Sequence, residues 1–240
     1  MKLQTLTRGD GPQRLALVHG LGNDGEIWND LVEIALETGR FTITTVDLRG
    51  HGRSPRADRY TVTAFADDLV ASLPTGLDAV VSHSLGGAVV ARAVARLRPK
   101  QAVYLDPGFR LALPTDGVGG WLVRRVRLSL LLFTAVQSRG IRAPALTASG
   151  QALEAAARAR WDRRMALGVL QDVGLQPVEV GPPVVPSTVV LSGDARYVVP
   201  DPLPEQLAAA GWGIRRLDDL GHALFLEDPE RVWTVLDDLL

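Results

Sequence analysis

From Leu15 to Leu105 the chain alternates short apolar runs with apolar stripes at helical spacing. Leu15-Ala16-Leu17-Val18 ends in His19-Gly20, and Phe41-Thr42-Ile43-Thr44-Thr45-Val46 ends at Asp47. Ala79-Val80-Val81 ends at Ser82-His83-Ser84, and Ala102-Val103-Tyr104-Leu105 ends at Asp106. Runs this short, bounded by Gly, Asp or Ser, predict strands buried on both faces. Met1 to Thr7 alternates like one further strand. Between the runs, Trp28, Leu31, Val32 and Ala35 recur at helical spacing. So do Phe65, Leu69 and Leu73, and then Leu85, Val89, Val90, Ala93 and Leu97. Strand–helix alternation predicts an α/β fold with a doubly wound, mostly parallel sheet. Its ligand site belongs at the carboxyl ends of the strands.

Strand signals stop between about Gly108 and Pro186. Trp121 to Val136 is an apolar helical run carrying Arg124, Arg125 and Arg127, which read as a solvated helix face. Gln151 to Leu170 is rich in Ala and Arg and strongly helix-prone. Pro177, Pro182, Pro183 and Pro186 close the helical region. Alternation then resumes, with a strand at Thr188 to Leu191 and a helix from Pro204 to Ala210. A strand at Ile214 to Leu217 and a helix from Pro229 to Leu240 complete it. The chain therefore divides into a core, residues 1–108 and 186–240, and a helical lid insertion, residues 109–185.

Composition narrows the class. With 240 residues, 46% of them apolar and 22% charged, the chain is long enough for one full core and too ordered for intrinsic disorder. A formal net charge of −1 calls for neither nucleic acid nor an anionic membrane as partner. All but two of the 26 basic residues are arginine, a bias of composition. The absence of Cys removes disulfides, thiolate metal sites and a cysteine nucleophile, and suits a cytoplasmic protein. The N-terminus lacks a signal-peptide core. The most apolar stretch, Leu128 to Val136, is about half the length that spans a bilayer.

Ser82-His83-Ser84-Leu85-Gly86-Gly87 joins a predicted strand directly to a predicted helix. Such a turn strains its apex residue and lifts the apex side chain above the sheet edge. Small flanking residues are required, because strand and helix approach closely. Ser82 and Gly86 meet that need, Ser82 standing where Gly is usual. Ser84 is therefore the candidate nucleophile, with the Leu85 amide at a helix N-terminus facing a developing oxyanion.

With these residues the chain resembles the α/β-hydrolases of the lid-bearing esterase, lactonase and C–C hydrolase type. The resemblance also rests on His19-Gly20-Leu21-Gly22, on Asp47-Leu48-Arg49-Gly50-His51-Gly52-Arg53-Ser54, and on Gly221-His222 followed by Glu227-Asp228-Pro229. A serine hydroxyl needs a base, and the resemblance implies His222 among the four histidines. It implies a structural role for His19, and an oxyanion hole formed by the amides of Leu21 and Leu85.

The resemblance also implies an acid after the strand ending at Leu191, where this sequence has Arg196. A guanidinium has donors only and cannot accept a proton from His222. Asp106, one strand earlier, is the first candidate and Asp194 the alternative. Neighbouring strands are about 4.8 Å apart, so either is within reach of His222. Arg196 is then expected to face the cleft or pair with a carboxylate. Trp121, Leu122, Val126, Phe133, Trp161 and Met165 either line an apolar substrate pocket or pack the lid on the core.

The expectation is a serine hydrolase that cleaves a carboxylic ester or lactone of a small to medium hydrophobic substrate through an acyl-enzyme. The same fold also hosts C–C bond hydrolases, cofactor-free dioxygenases, lyases and non-catalytic binding proteins. No cofactor or metal is expected. The expected partner is a small-molecule substrate, for a monomer or homodimer.

Overall fold

The computed structural model describes residues 1–111, 117, 145–179 and 181–240. Among the described residues, seven strands form one sheet in the order β1-β3-β2-β4-β5-β6-β7. They are β1 (Thr5–Arg8), β2 (Gln13–Val18), β3 (Phe41–Val46), β4 (Ala79–His83), β5 (Gln101–Leu105), β6 (Ser187–Ser192) and β7 (Gly213–Leu217). Only β1 is antiparallel to its neighbour, pairing Thr5 with Val46. The chain leaves β2 towards β3 on one side and returns to β4 on the other. The loops after β2 and β4 therefore meet at the switch point of the sheet, where ligands bind in such folds.

The inner strands are buried on both faces because alternate residues enter two separate cores, whereas the edge strands β1 and β7 stay partly exposed. Ala16, Val18, Val80, Tyr104 and Val189 point into one, with Phe65, Leu69 and Val89. Leu15, Leu17, Val81, Val103 and Val190 point into the other, with Trp28, Leu31, Val232 and Trp233. The first core is covered by α2 (Val62–Ser72) and α3 (Leu85–Leu97), the second by α1 (Asn29–Glu37) and the C-terminal helix. Caps fix several helix starts: Thr61 accepts the amide of Ala64 before α2, at 3.2 Å.

Between β5 and β6 the described residues hold α4 (Ala148–Ala159) and α5 (Met165–Leu175). The single helix-prone run read from Gln151 to Leu170 is thus two helices. The break is tertiary: Asp162 is buried, its amide donates to the Gly50 carbonyl at 2.7 Å, and its carboxylate receives the Tyr60 hydroxyl at 3.0 Å. After β6 come α6 (Leu203–Ala209), α7 (Leu224–Glu227) and α8 (Pro229–Asp237). Pro229 opens α8 and Asp228 caps it, accepting the Arg231 amide at 3.0 Å. The predicted helix from Trp121 to Val136 lies outside the described residues. Among the described residues, no helix is long and apolar enough to cross a membrane.

Candidate active site

Ser84 occupies the turn between β4 and α3 with φ 51° and ψ −118°. That conformation is costly for a residue with a Cβ and persists only where the surroundings enforce it. Here the Ser84 amide donates to the Leu105 carbonyl at 3.1 Å, and its carbonyl accepts the amides of Gly87 and Gly108 at 2.9 and 2.6 Å. A Cβ on Gly86 would lie 2.5 Å from the Val18 carbonyl oxygen, so α3 can approach β2 this closely only with glycine there. Leu85 is the first residue of α3, and Leu21 lies in the loop after β2. Neither amide has a backbone acceptor among the described residues.

His222 Nε2 lies 3.0 Å from Ser84 Oγ, and His222 Nδ1 lies 3.2 Å from Asp106 Oδ2. Asp106 directly follows β5, with φ 38°, and is fully buried. Its Oδ1 accepts the Ser192 amide at 2.7 Å, and its Oδ2 also receives the Ser192 hydroxyl. Ser192 ends β6, so three neighbouring strands converge on one serine–histidine–carboxylate chain. His222 itself is held from beneath, where the neighbouring His83 donates Nε2–H to the His222 carbonyl at 2.8 Å.

Asp194 makes no hydrogen bond to His222 among the described residues; its amide donates to Ser192 Oγ at 3.1 Å. Arg196 is exposed and neither faces the cavity nor pairs with a carboxylate among the described residues. Its guanidinium covers the Tyr197 ring, 5.2 Å from the centroid, and donates to the Tyr197 hydroxyl at 3.2 Å. The short helical turn Ala195–Tyr197 carries that side chain away from the strand ends.

The other histidines are buried and structural in their bonding. His19 Nε2 accepts the Leu48 amide at 3.0 Å, which leaves Nδ1–H to donate to the Gly20 carbonyl at 2.7 Å. His51 repeats the arrangement, accepting the Gly22 amide at 3.1 Å and donating to the Arg49 carbonyl at 3.0 Å. Burial pulls His19 down to about 4 and His51 to about 3. Burial, with the adjacent His222, also holds His83 well below the usual histidine range. Asp47 staples its own loop, accepting the amides of Gly25 and Arg53 at 2.7 and 2.8 Å.

A cavity of about 460 Å³ opens beside Ser84 and His222. Leu21, Gly22, His83, Trp161 and Leu226 line it, together with Glu154, Arg158 and Arg163. Glu154 and Arg158 are paired at 2.9 Å, one helical turn apart. Among the described residues, no group of three or more His, Asp or Glu is placed to hold a metal ion.

Residues 15–235 match the sequence pattern of the alpha/beta hydrolase family. The chain belongs to that family. A pimeloyl-[acyl-carrier protein] methyl ester esterase of Methylococcus capsulatus is 28% identical, over 98% of this chain and 96% of that protein. Lipase LipV of Mycobacterium tuberculosis is 41% identical over 107 residues; the match spans 42% of this chain and 40% of the lipase. Among solved structures, an enol-lactonase from Burkholderia xenovorans superposes with a TM-score of 0.73 at 21% identity, covering 98% of this chain and 95% of that one.

One expected pocket residue of this alpha/beta hydrolase, Met165, stands elsewhere. Met165 is buried in the first core and borders a separate cleft beside Tyr60 and Arg164, because α5 turns its first residue towards Gly50. Trp121, Leu122, Val126 and Phe133 lie outside the described residues. Trp161 does line the cavity. Sequence reasoning missed Ser192, which bonds both oxygens of Asp106, and missed the charged wall from α4 and the residues after it. A serine ending a strand carries no local signal of such a contact.

Proposed function

We propose that the protein is a serine hydrolase of carboxylic esters or lactones, acting on a small to medium substrate through an acyl-enzyme. The observation that carries the reading is the continuous chain from Ser84 Oγ through His222 to the buried Asp106, at 3.0 and 3.2 Å. His222 Nε2 takes the Ser84 proton as Oγ attacks the carbonyl carbon. Asp106 accepts Nδ1–H, which fixes the tautomer and stabilises the imidazolium. The Leu21 and Leu85 amides hold the oxyanion, the latter aided by the N-terminus of α3. The tetrahedral intermediate collapses, the C–O bond breaks, and the leaving alkoxide takes the proton from His222. Water then loses a proton to His222, attacks the acyl carbon and releases the acid and Ser84.

Ester cleavage is favoured among the reactions of this fold by the similarity to a methyl ester esterase and to a lipase. A cavity of about 460 Å³ suits a small-molecule acyl or alcohol group. In this reading the segment between β5 and β6 is a cap over the site, and residues 1–108 and 186–240 are the core. The test is turnover of short-chain p-nitrophenyl esters by the wild-type protein and by Ser84→Ala. The expected loss in kcat/KM is roughly 10⁴-fold or more. Undiminished turnover by Ser84→Ala, or none by the wild type across acyl lengths and lactones, contradicts the reading.

A further inference from the structure

We propose that the link Arg160-Trp161-Asp162, between α4 and α5, is a clamp that sets the position of the oxyanion loop, with Trp161 as its positioning residue. The inference rests on the serine hydrolase reading. Three consecutive side chains or backbone groups grip three different core segments. Arg160 Nε donates to Asp24 Oδ2 at 2.8 Å, and its second nitrogen reaches Glu26 Oε2 at 2.8 Å. Asp24 is buried and caps the turn Gly25–Trp28 that follows the oxyanion loop. Asp162 is held by Gly50 and Tyr60, as described above. Trp161 lies between these anchors, near-parallel to the His51 ring with centroids 6.0 Å apart.

The position of Trp161 makes it more than a wall. A Cβ on Gly22 would meet the indole at ordinary contact distance, 3.7 Å, so the ring stands one methyl group off the Gly22 backbone and flanks the loop beside His51. The Gly22 amide is in turn held by His51 Nε2 at 3.1 Å. The imidazole thus restrains Gly22, whose φ is +80°, and the indole backs the imidazole; Gly22 directly follows Leu21. A donor to an oxyanion works only at the right distance, and a displacement of about 1 Å is enough to cost up to about a hundredfold in rate. The ion pairs of Arg160 lie outside the cavity lining, so they act on the loop without touching substrate.

The test compares wild type, Trp161→Ala, Trp161→Phe and Arg160→Gln in p-nitrophenyl butyrate turnover and in inhibition by phenylboronic acid. The boronate adds to Ser84 and places a tetrahedral oxygen at the oxyanion donors. Trp161→Ala and Arg160→Gln are expected to lower kcat about tenfold to a hundredfold, with KM within about threefold of wild type. Boronate affinity should weaken by a similar factor, and Trp161→Phe should recover most of both. A rise in KM alone, or unchanged kcat in Arg160→Gln, overturns the clamp and leaves Trp161 a cavity wall. If Trp161→Ala does not fold, Arg160→Gln decides by the same readouts. Absence of Ser84-dependent turnover in the wild type instead strikes the underlying hydrolase reading, before any clamp variant is compared.

Discussion

Asp106 has no exposed surface, yet each of its oxygens has a donor. A buried carboxylate is tolerated when its acceptor positions are filled, and Ser192 fills those that His222 leaves. Asp106→Asn should therefore lower kcat by several orders of magnitude, about 10⁴-fold by analogy with other triads, because an amide can present the wrong partner to Nδ1–H. Asp194→Asn should stay within about threefold of wild type. Steady-state kinetics of the two variants checks this, and the reverse order contradicts the assignment. The proximity of Ser84 and His222 was legible in the sequence because each sits in a local pattern, Ser84 in a strand-to-helix turn and His222 after a late strand. The sequence leaves the acid open between Asp106 and Asp194. Its reach to His222 depends on which strands are neighbours, and that is settled by the sheet and not by nearby residues. Arg196 was a correct warning that the usual strand lacks an acid, but its expected place in the cleft was wrong. The helical turn at Ala195–Tyr197 carries it to the surface.

The β4–α3 element stores strain at one residue. Ser84 pays for its positive φ with a Cβ that glycine would not have, and this conformation costs on the order of 1–3 kcal/mol. Ser84→Gly should abolish turnover but melt higher than the equally inactive Ser84→Ala. A difference of about 1 kcal/mol corresponds to roughly 2–4 °C in a chain of this size. Calorimetry of the two variants reads it directly, and an equal or lower Tm for Ser84→Gly refutes the strain argument. At the same scale, strands and amphipathic helices were readable from periodicity, since alternate strand residues enter two apolar cores. The break between α4 and α5 was not readable. The sequence there is helix-prone, and the docking of Asp162 on Gly50 and Tyr60, together with its local bonds to Arg164, interrupts it.

Across the whole molecule, the meeting of loops at the switch point buries His19, His51 and His83 around one serine. Their low folded-state pKa values have a consequence for stability. Between the ordinary value of 6.5 and about 4 for His19 or about 3 for His51, the unfolded chain binds a proton that the folded chain refuses. Stability therefore falls as pH drops through this window, by about 1.4 kcal/mol per pH unit for each ring, and is recovered above 6.5. Urea unfolding at pH 7 and pH 5 should show the loss. His51→Gln, which keeps an acceptor for the Gly22 amide, should shrink the difference by roughly 2 kcal/mol. An identical pH dependence in wild type and variant contradicts the burial argument.

If Ser84 is a nucleophile activated by His222 and Asp106, a fluorophosphonate probe should label it, with the adduct located by mass spectrometry. One adduct per chain is expected, on the peptide containing Ser84, appearing in step with loss of ester turnover and absent in Ser84→Ala. No adduct on the folded wild-type protein, or an adduct that survives Ser84→Ala, would contradict it.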